Sequence, residues 1–121
     1  MLKTAYLKVT GASGTAETGF AITGEVKGLL TKMANAPAGT TDIIVRTKGP
    51  QPTTYDLYNV LNQNDSTTYV GLRVAATDKS LVAFTNSYVP YCVADILELV
   101  VAQGDADTVV EAWVFYDDGR P

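Results

Sequence analysis

The sequence contains no histidine and only one cysteine, Cys92. Ser-His-Asp and Cys-His nucleophile arrangements are therefore impossible within one chain. Zinc sites built from His and Cys fall with them. An enzyme of this composition would depend on paired carboxylates, a lysine or a tyrosine, and no spacing singles one out. A lone cysteine leaves no internal disulfide. Met1-Leu2-Lys3-Thr4 runs straight into an alternating pattern instead of a leader, so the expectation is a chain made and used without passing through an oxidising compartment. No apolar run reaches the ~20 residues of a membrane-spanning helix. Basic residues are also few: nine Lys and Arg stand against 13 Asp and Glu, for a net charge of −4 and a pI near 4.6. They are scattered, which argues against a nucleic-acid backbone as partner.

What remains is ordinary globular material. Hydrophobic residues make up 46% and charged residues 18% of 121 residues, which excludes disorder. That length suits one domain spanning residues 1–121, able to bury roughly two-thirds of its unfolded surface without staples. The densest apolar stretch runs from Val93 to Tyr116. Two apolar runs flank Gln103-Gly104-Asp105-Ala106-Asp107, the pattern of a β-hairpin with a longer loop. In the second run Val110, Ala112, Val114 and Tyr116 share one face, and Val109, Glu111, Trp113 and Phe115 the other. In the first run Val93, Ile96, Leu97, Val100 and Val101 also fit helical spacing. The short run, its β-branched second half and the strand that follows favour a strand.

Period two recurs along the chain. In Met1–Thr10, Lys3, Ala5, Leu7 and Val9 oppose Leu2, Thr4, Tyr6, Lys8 and Thr10. Gly11–Thr15 reads as a loop. In Phe20–Lys32, Phe20, Ile22, Gly24, Val26, Gly28 and Leu30 oppose Ala21, Thr23, Glu25, Lys27, Leu29 and Thr31. Gly24 and Gly28 weigh against a helix at about 1 kcal/mol each. They imply bends in a long strand, a bulge, or close approach of another backbone. In Thr40–Lys48, Ile43 and Val45 oppose Asp42, Ile44 and Arg46. In Thr53–Leu61, Tyr55, Leu57 and Leu61 oppose Asp56 and Tyr58. In Thr67–Ala76, Val70, Leu72 and Val74 point inward, and Tyr69, Gly71 and Arg73 outward. Leu81–Thr85 is a short strand, and Asn86–Cys92 an irregular segment. The sum is an all-β chain: a single β-sandwich of about eight short antiparallel strands, jelly-roll-like or immunoglobulin-like in topology.

Three groups of residues are candidates for function. Asp105, Asp107, Asp117 and Asp118 would offer oxygen ligands to Ca²⁺ if they met at one end of the sandwich; the competing reading is a solvated loop and tail. Asn62, Asn64 and Asp65 lack the glutamate and glycine of an EF-hand loop. Tyr55, Tyr58, Tyr69, Tyr88 and Trp113 would suit a stacking platform for sugars, although tyrosine is also a common strand residue. Trp113 and Phe115 lie opposite the core face of their strand, so another strand or a neighbouring subunit covers them. With Tyr69 and Arg73 they form a candidate subunit interface. Cys92, followed by apolar residues, reads as an inert buried thiol. Lys27, Lys32, Arg46, Lys48 and Arg73 fall on outward faces.

Several segments resemble small structural proteins of tailed bacteriophages, in particular head decoration (cement) proteins. They are Phe20-Ala21-Ile22-Thr23-Gly24-Glu25-Val26-Lys27-Gly28-Leu29-Leu30, Ala38-Gly39-Thr40-Thr41-Asp42-Ile43-Ile44-Val45, Val89-Pro90-Tyr91-Cys92-Val93-Ala94-Asp95, and Val101-Ala102-Gln103-Gly104-Asp105-Ala106-Asp107-Thr108-Val109. The resemblance implies a non-enzymatic virion protein on the capsid surface, made in the host cytoplasm. It would bind the major capsid protein and its own copies, as a trimer, and stabilise the head. It implies no cofactor, no resident metal, and no nucleic-acid or membrane partner. The alternatives are a carbohydrate-binding or adhesion module, or a tail or neck component. A carboxylate-based glycosidase ranks below these.

Overall fold

Residues whose side chains alternate between apolar and polar find one common solution in this chain. The computed structural model describes residues 1–36, 39–49, 56–63, 66–71, 73–77 and 83–121, and of 73–77 and 83–91 the backbone alone. Nine strands lie among the described residues, with no helix. They are β1 (Leu2–Thr10), β2 (Gly14–Glu17), β3 (Ile22–Ala34), β4 (Thr41–Gly49), β5 (Asp56–Gln63), β6 (Thr67–Gly71), β7 (Arg73–Thr77), β8 (Ala83–Ala102) and β9 (Val109–Asp117). Every pairing is antiparallel. The all-β sandwich expected from the sequence is the architecture found.

One layer runs β1-β9-β3-β6, and the other β2-β8-β4-β5. β8 joins the two. Its middle, Tyr91 to Asp95, pairs with Val26 to Ile22 of β3, and its last part, Ile96 to Ala102, pairs with β4. Its first part pairs with β7. Between the layers lie Ala5, Leu7 and Val9 of β1, Ile22, Val26, Leu29 and Met33 of β3, Ile43 and Val45 of β4, Leu97, Leu99 and Val101 of β8, and Val110, Ala112 and Val114 of β9. Full burial of one such Val, Leu or Ile is worth roughly 1.5–3 kcal/mol, so this shared interior holds the layers together.

Several expectations need correction. The runs flanking Gln103–Asp107 are strands, but they do not form a hairpin. β9 pairs with β1 and β3, whereas β8 belongs to the other layer at that point. The loop arches across the core instead, tied down by Gly104 N–H to the Ala12 carbonyl (2.8 Å) and Gly11 N–H to the Thr108 carbonyl (2.8 Å). Thr108 Oγ1 donates to the Asn35 carbonyl at 2.9 Å and accepts from Asp105 N–H at 2.8 Å. Both strands bury an apolar face, and that requirement is met equally by pairing edge to edge or by packing face to face.

β3 does not keep strict period two. Its register with β9 shifts between Val26 and Gly28, so Lys27 is an extra residue, a β-bulge. Ile22 and Val26 point inward before the shift; Leu29, Thr31 and Met33 do so after it, and Leu30 turns to the outer face. In β5 the register with β4 shifts twice, so Leu57 and Tyr58 are buried and Leu61 is exposed, against the expected order. Gly14 and Thr15, expected in a loop, begin β2, and Asn86–Cys92, expected to be irregular, lies within β8. Glu98, a charge within the buried run, is matched by Arg46, whose Nε donates to Glu98 Oε1 at 2.7 Å.

Candidate functional site

The outer face of the β1-β9-β3-β6 layer is where alternation places what the core rejects. Tyr6 of β1 stands opposite Trp113 of β9, Trp113 opposite Leu30 of β3, and Leu30 opposite Tyr69 of β6. These residues form one row across the layer, perpendicular to the strands. Tyr6 is 48% exposed and Tyr69 64%, while Trp113 and Leu30 are half-buried between them. The Tyr6 and Trp113 rings lie 5.2 Å apart, centroid to centroid, tilted by 44°. Trp113 and Tyr69 are two strand spacings apart, about 10 Å.

The next row holds Phe115, flanked in register by Thr4 and Gly28. The absence of a side chain at Gly28 shapes the face. A Cβ there would sit 2.7 Å from Tyr69 Oη. The Tyr69 ring therefore leans over Gly28 toward Phe115, with centroids 6.3 Å apart at 46°. The row on the other side is charged: Lys8 opposite Glu111 and Glu111 opposite Lys32. Tyr6 Oη donates to Glu111 Oε2. That hydrogen bond, seconded by partial desolvation, raises the tyrosine pKa above its ordinary value. The result is a shallow aromatic strip with a hydroxyl and charges along its margin.

Of the residues singled out from the sequence, Trp113, Phe115 and Tyr69 come together here. Arg73 lies on β7, whose backbone, among the described residues, pairs with β8, and its side chain is outside the described residues. Tyr58 is no stacking residue: it is buried, and its Oη donates to Gln63 Oε1 at 2.6 Å. Tyr55 and the Tyr88 side chain lie outside the described residues. Tyr6 and Leu30 complete the strip and were not anticipated, because only the register shows that they stand beside Trp113.

The acidic groups do not converge. Asp105 and Asp107 lie at one end of β9, and Asp117 and Asp118 at the other, about 26 Å of extended strand away. Asp117 accepts from Gly119 N–H (2.9 Å) and from the Met1 ammonium (3.0 Å), which depress its pKa in that order. Asp118 pairs with Lys3 Nζ at 2.7 Å and accepts from Arg120 N–H at 3.0 Å, which hold its carboxyl far below the carboxylate range. Among the described residues no group of three or more acidic or cysteine side chains is placed to hold a metal ion. Asn64 and Asp65 lie outside the described residues. Cys92 is exposed, not buried, because it falls on the outer face of β8 opposite Glu25. Lys27 and Lys48 are outward as expected, and pair with Glu25 and Glu17.

No protein-family model matches the sequence, and no curated protein matches it. Solved structures do. The chain is similar to the family 32 carbohydrate-binding module from Streptococcus pneumoniae EndoD, with 15% identity and a TM-score of 0.55 over 91% of this chain and 73% of that one. It is also similar to a selenomethionine-labelled variant of chitosan-binding module 1 derived from a chitosanase/glucanase of Paenibacillus sp. IK-5, with 7% identity and a TM-score of 0.50 over 93% and 76%. At these identities the likeness is one of fold: the chain has the β-sandwich architecture seen in carbohydrate-binding modules.

Proposed function

We propose that this chain is a non-catalytic binding module whose outer face takes carbohydrate. The observation that carries this reading is the row Tyr6–Trp113–Leu30–Tyr69 with Phe115 beside it. A pyranose ring offers aliphatic C–H faces to an aromatic surface and hydroxyls to the polar groups at its edge. A strip of rings, amphipathic and rigid, with Glu111, Lys8 and Lys32 alongside meets both needs. The ~10 Å between Trp113 and Tyr69 suits a saccharide chain lying across the strands and stacking at alternate units. The names of the two fold neighbours, carbohydrate-binding and chitosan-binding modules, support the same direction. Trp113 is the sole tryptophan, so its fluorescence reports directly on this face. Cello-, chito- and chitosan oligosaccharides should change that emission saturably, and Tyr69→Ala should weaken the response. Emission indifferent to all three, with no retention of the protein on the corresponding insoluble polymers, would remove the reading.

The same patch favours a second reading. Trp113, Phe115, Leu30 and Tyr69 form a continuous apolar surface of the kind that marks protein contacts. Under this reading the face docks on a second copy or on a major capsid protein, and the chain is a virion decoration protein, as the phage resemblance implies. Light scattering that gives the monomer mass at all concentrations, with no uptake onto capsids lacking the protein, would leave only the carbohydrate reading standing.

A further inference from the structure

A recess separate from the aromatic strip lies at the end of the sandwich where β1, β3 and the segment after β9 meet. It is lined by Lys3, Phe20, Ala21, Thr23, Tyr116, Asp118 and Arg120 and holds about 230 Å³. That is below the roughly 300 Å³ at which pockets begin to take drug-sized molecules, and fits a ligand of one ring.

Its walls are fixed by specific contacts. Phe20 is 60% exposed, yet its backbone is held: Thr18 Oγ1 donates to the Phe20 carbonyl at 2.8 Å and accepts from Leu97 N–H at 3.1 Å. Thr18 is itself buried and its N–H donates to the Leu97 carbonyl at 2.9 Å. On the other side, Asp117 and Asp118 each accept from the backbone N–H two residues on, which folds the tail back over β3. Gly24, at φ 140°, makes room for it, since a Cβ there would strike the Asp117 carbonyl oxygen. Buried Tyr116 backs the recess.

The charges do not cancel. The lining has two cations, Lys3 and Arg120, and one carboxylate, Asp118. Lys3 is committed to Asp118 at 2.7 Å. Among the described residues no carboxylate pairs with the Arg120 guanidinium. A guanidinium is a fork suited to a carboxylate, and Arg120 lines this recess together with the exposed Phe20 and with Thr23.

We propose that this recess binds a single carboxylated pyranose, such as the terminal uronic or sialic acid of an acidic glycan, with the carboxylate on Arg120 and the ring against Phe20. The inference extends the carbohydrate reading to a second, independent place on the molecule. It is tested by following backbone amide NMR signals of the full chain during titration with glucuronate, N-acetylneuraminate, glucose and acetate. Glucuronate or N-acetylneuraminate should shift the signals of Lys3, Phe20–Thr23 and Gly119–Arg120. Glucose, lacking the charge, and acetate, lacking the ring, should bind at least about tenfold more weakly. Arg120→Gln and Phe20→Ala should each weaken binding of the acidic sugar, with Arg120→Lys retaining part of it, and Trp113→Ala should leave it unchanged. Equal responses to glucose or to acetate, or no response at these residues, would overturn the proposal. Neutral oligosaccharides quenching Trp113 while acidic sugars leave the recess silent would overturn it alone and leave the outer-face reading intact.

Discussion

The two faces of β9 are built from alternate residues of one strand, yet they obey different demands. Val110, Ala112 and Val114 are fully buried and Tyr116 nearly so, whereas Glu111, Trp113 and Phe115 alternate with them on the outside. The inner set is aliphatic and close-packed, and its worth is stability. The outer set is aromatic and charged, and has a row of its own in Tyr6, Leu30 and Tyr69. The contrast teaches that the two faces should fail differently when altered.

Leu29 and Leu30, adjacent in β3 and divided between the faces, give the strongest break. Leu29 is fully buried and Leu30 half-buried. Leu29→Ala should cost ~2–5 kcal/mol in urea unfolding and Leu30→Ala under ~1 kcal/mol; equal losses would mean that the outer face is structural too. Gly24→Ala should cost ~1–3 kcal/mol, because φ 140° and the Asp117 carbonyl both oppose a side chain; the same unfolding measurement checks it. Trp113→Ala should reverse the pattern, weakening oligosaccharide binding by ~1–2 kcal/mol in calorimetry with a smaller change in unfolding midpoint. The smallest effect concerns Asp118. Its carboxyl titrates below its ordinary value of 3.8 when folded, held down first by Lys3 and then by Arg120 N–H. The unfolded chain therefore takes up that proton first as the pH falls, so the stabilisation is whole above pH 3.8 and is lost progressively below it. Asp118→Asn should be less stable than the parent at pH 6, with the difference closing in unfolding curves taken toward pH 2.

Much of this was legible because period two is a local property. The buried sets of β1, β4 and β9 match the alternation of Ala5-Leu7-Val9, Ile43-Val45 and Val110-Ala112-Val114. What the pattern does not hold is the partner of each strand. Residues 93–101 and 109–116 both bury one face, and nothing in them distinguishes neighbours in one sheet from strands facing across a core. Bulges are similarly hidden: Lys27 shifts the phase of β3, and the register shifts of β5 exchange Tyr58 for Leu61 inside. Asn86–Cys92 reads as irregular, yet β8 runs through it, Pro90 included. The candidate face was half visible. Trp113, Phe115 and Tyr69 were recognisable as outward aromatics, while Tyr6 and Leu30 become their neighbours only through pairings with residues far away in the chain. The recess around Arg120 left no local sign, since it depends on the tail returning to Lys3 and Gly24.

Among the described residues β1 finds its sheet partner in β9, with Leu2 set against Asp117 and Thr10 against Val109. On a ribosome, β1 must wait for β9 to be synthesised before this hydrogen-bonding edge is satisfied. Closing so long a loop is slow, and until it closes β1, with its apolar face of Ala5, Leu7 and Val9, is available to any other open edge nearby. A chaperone holding β1 until β9 is made would serve this topology better than one acting afterwards.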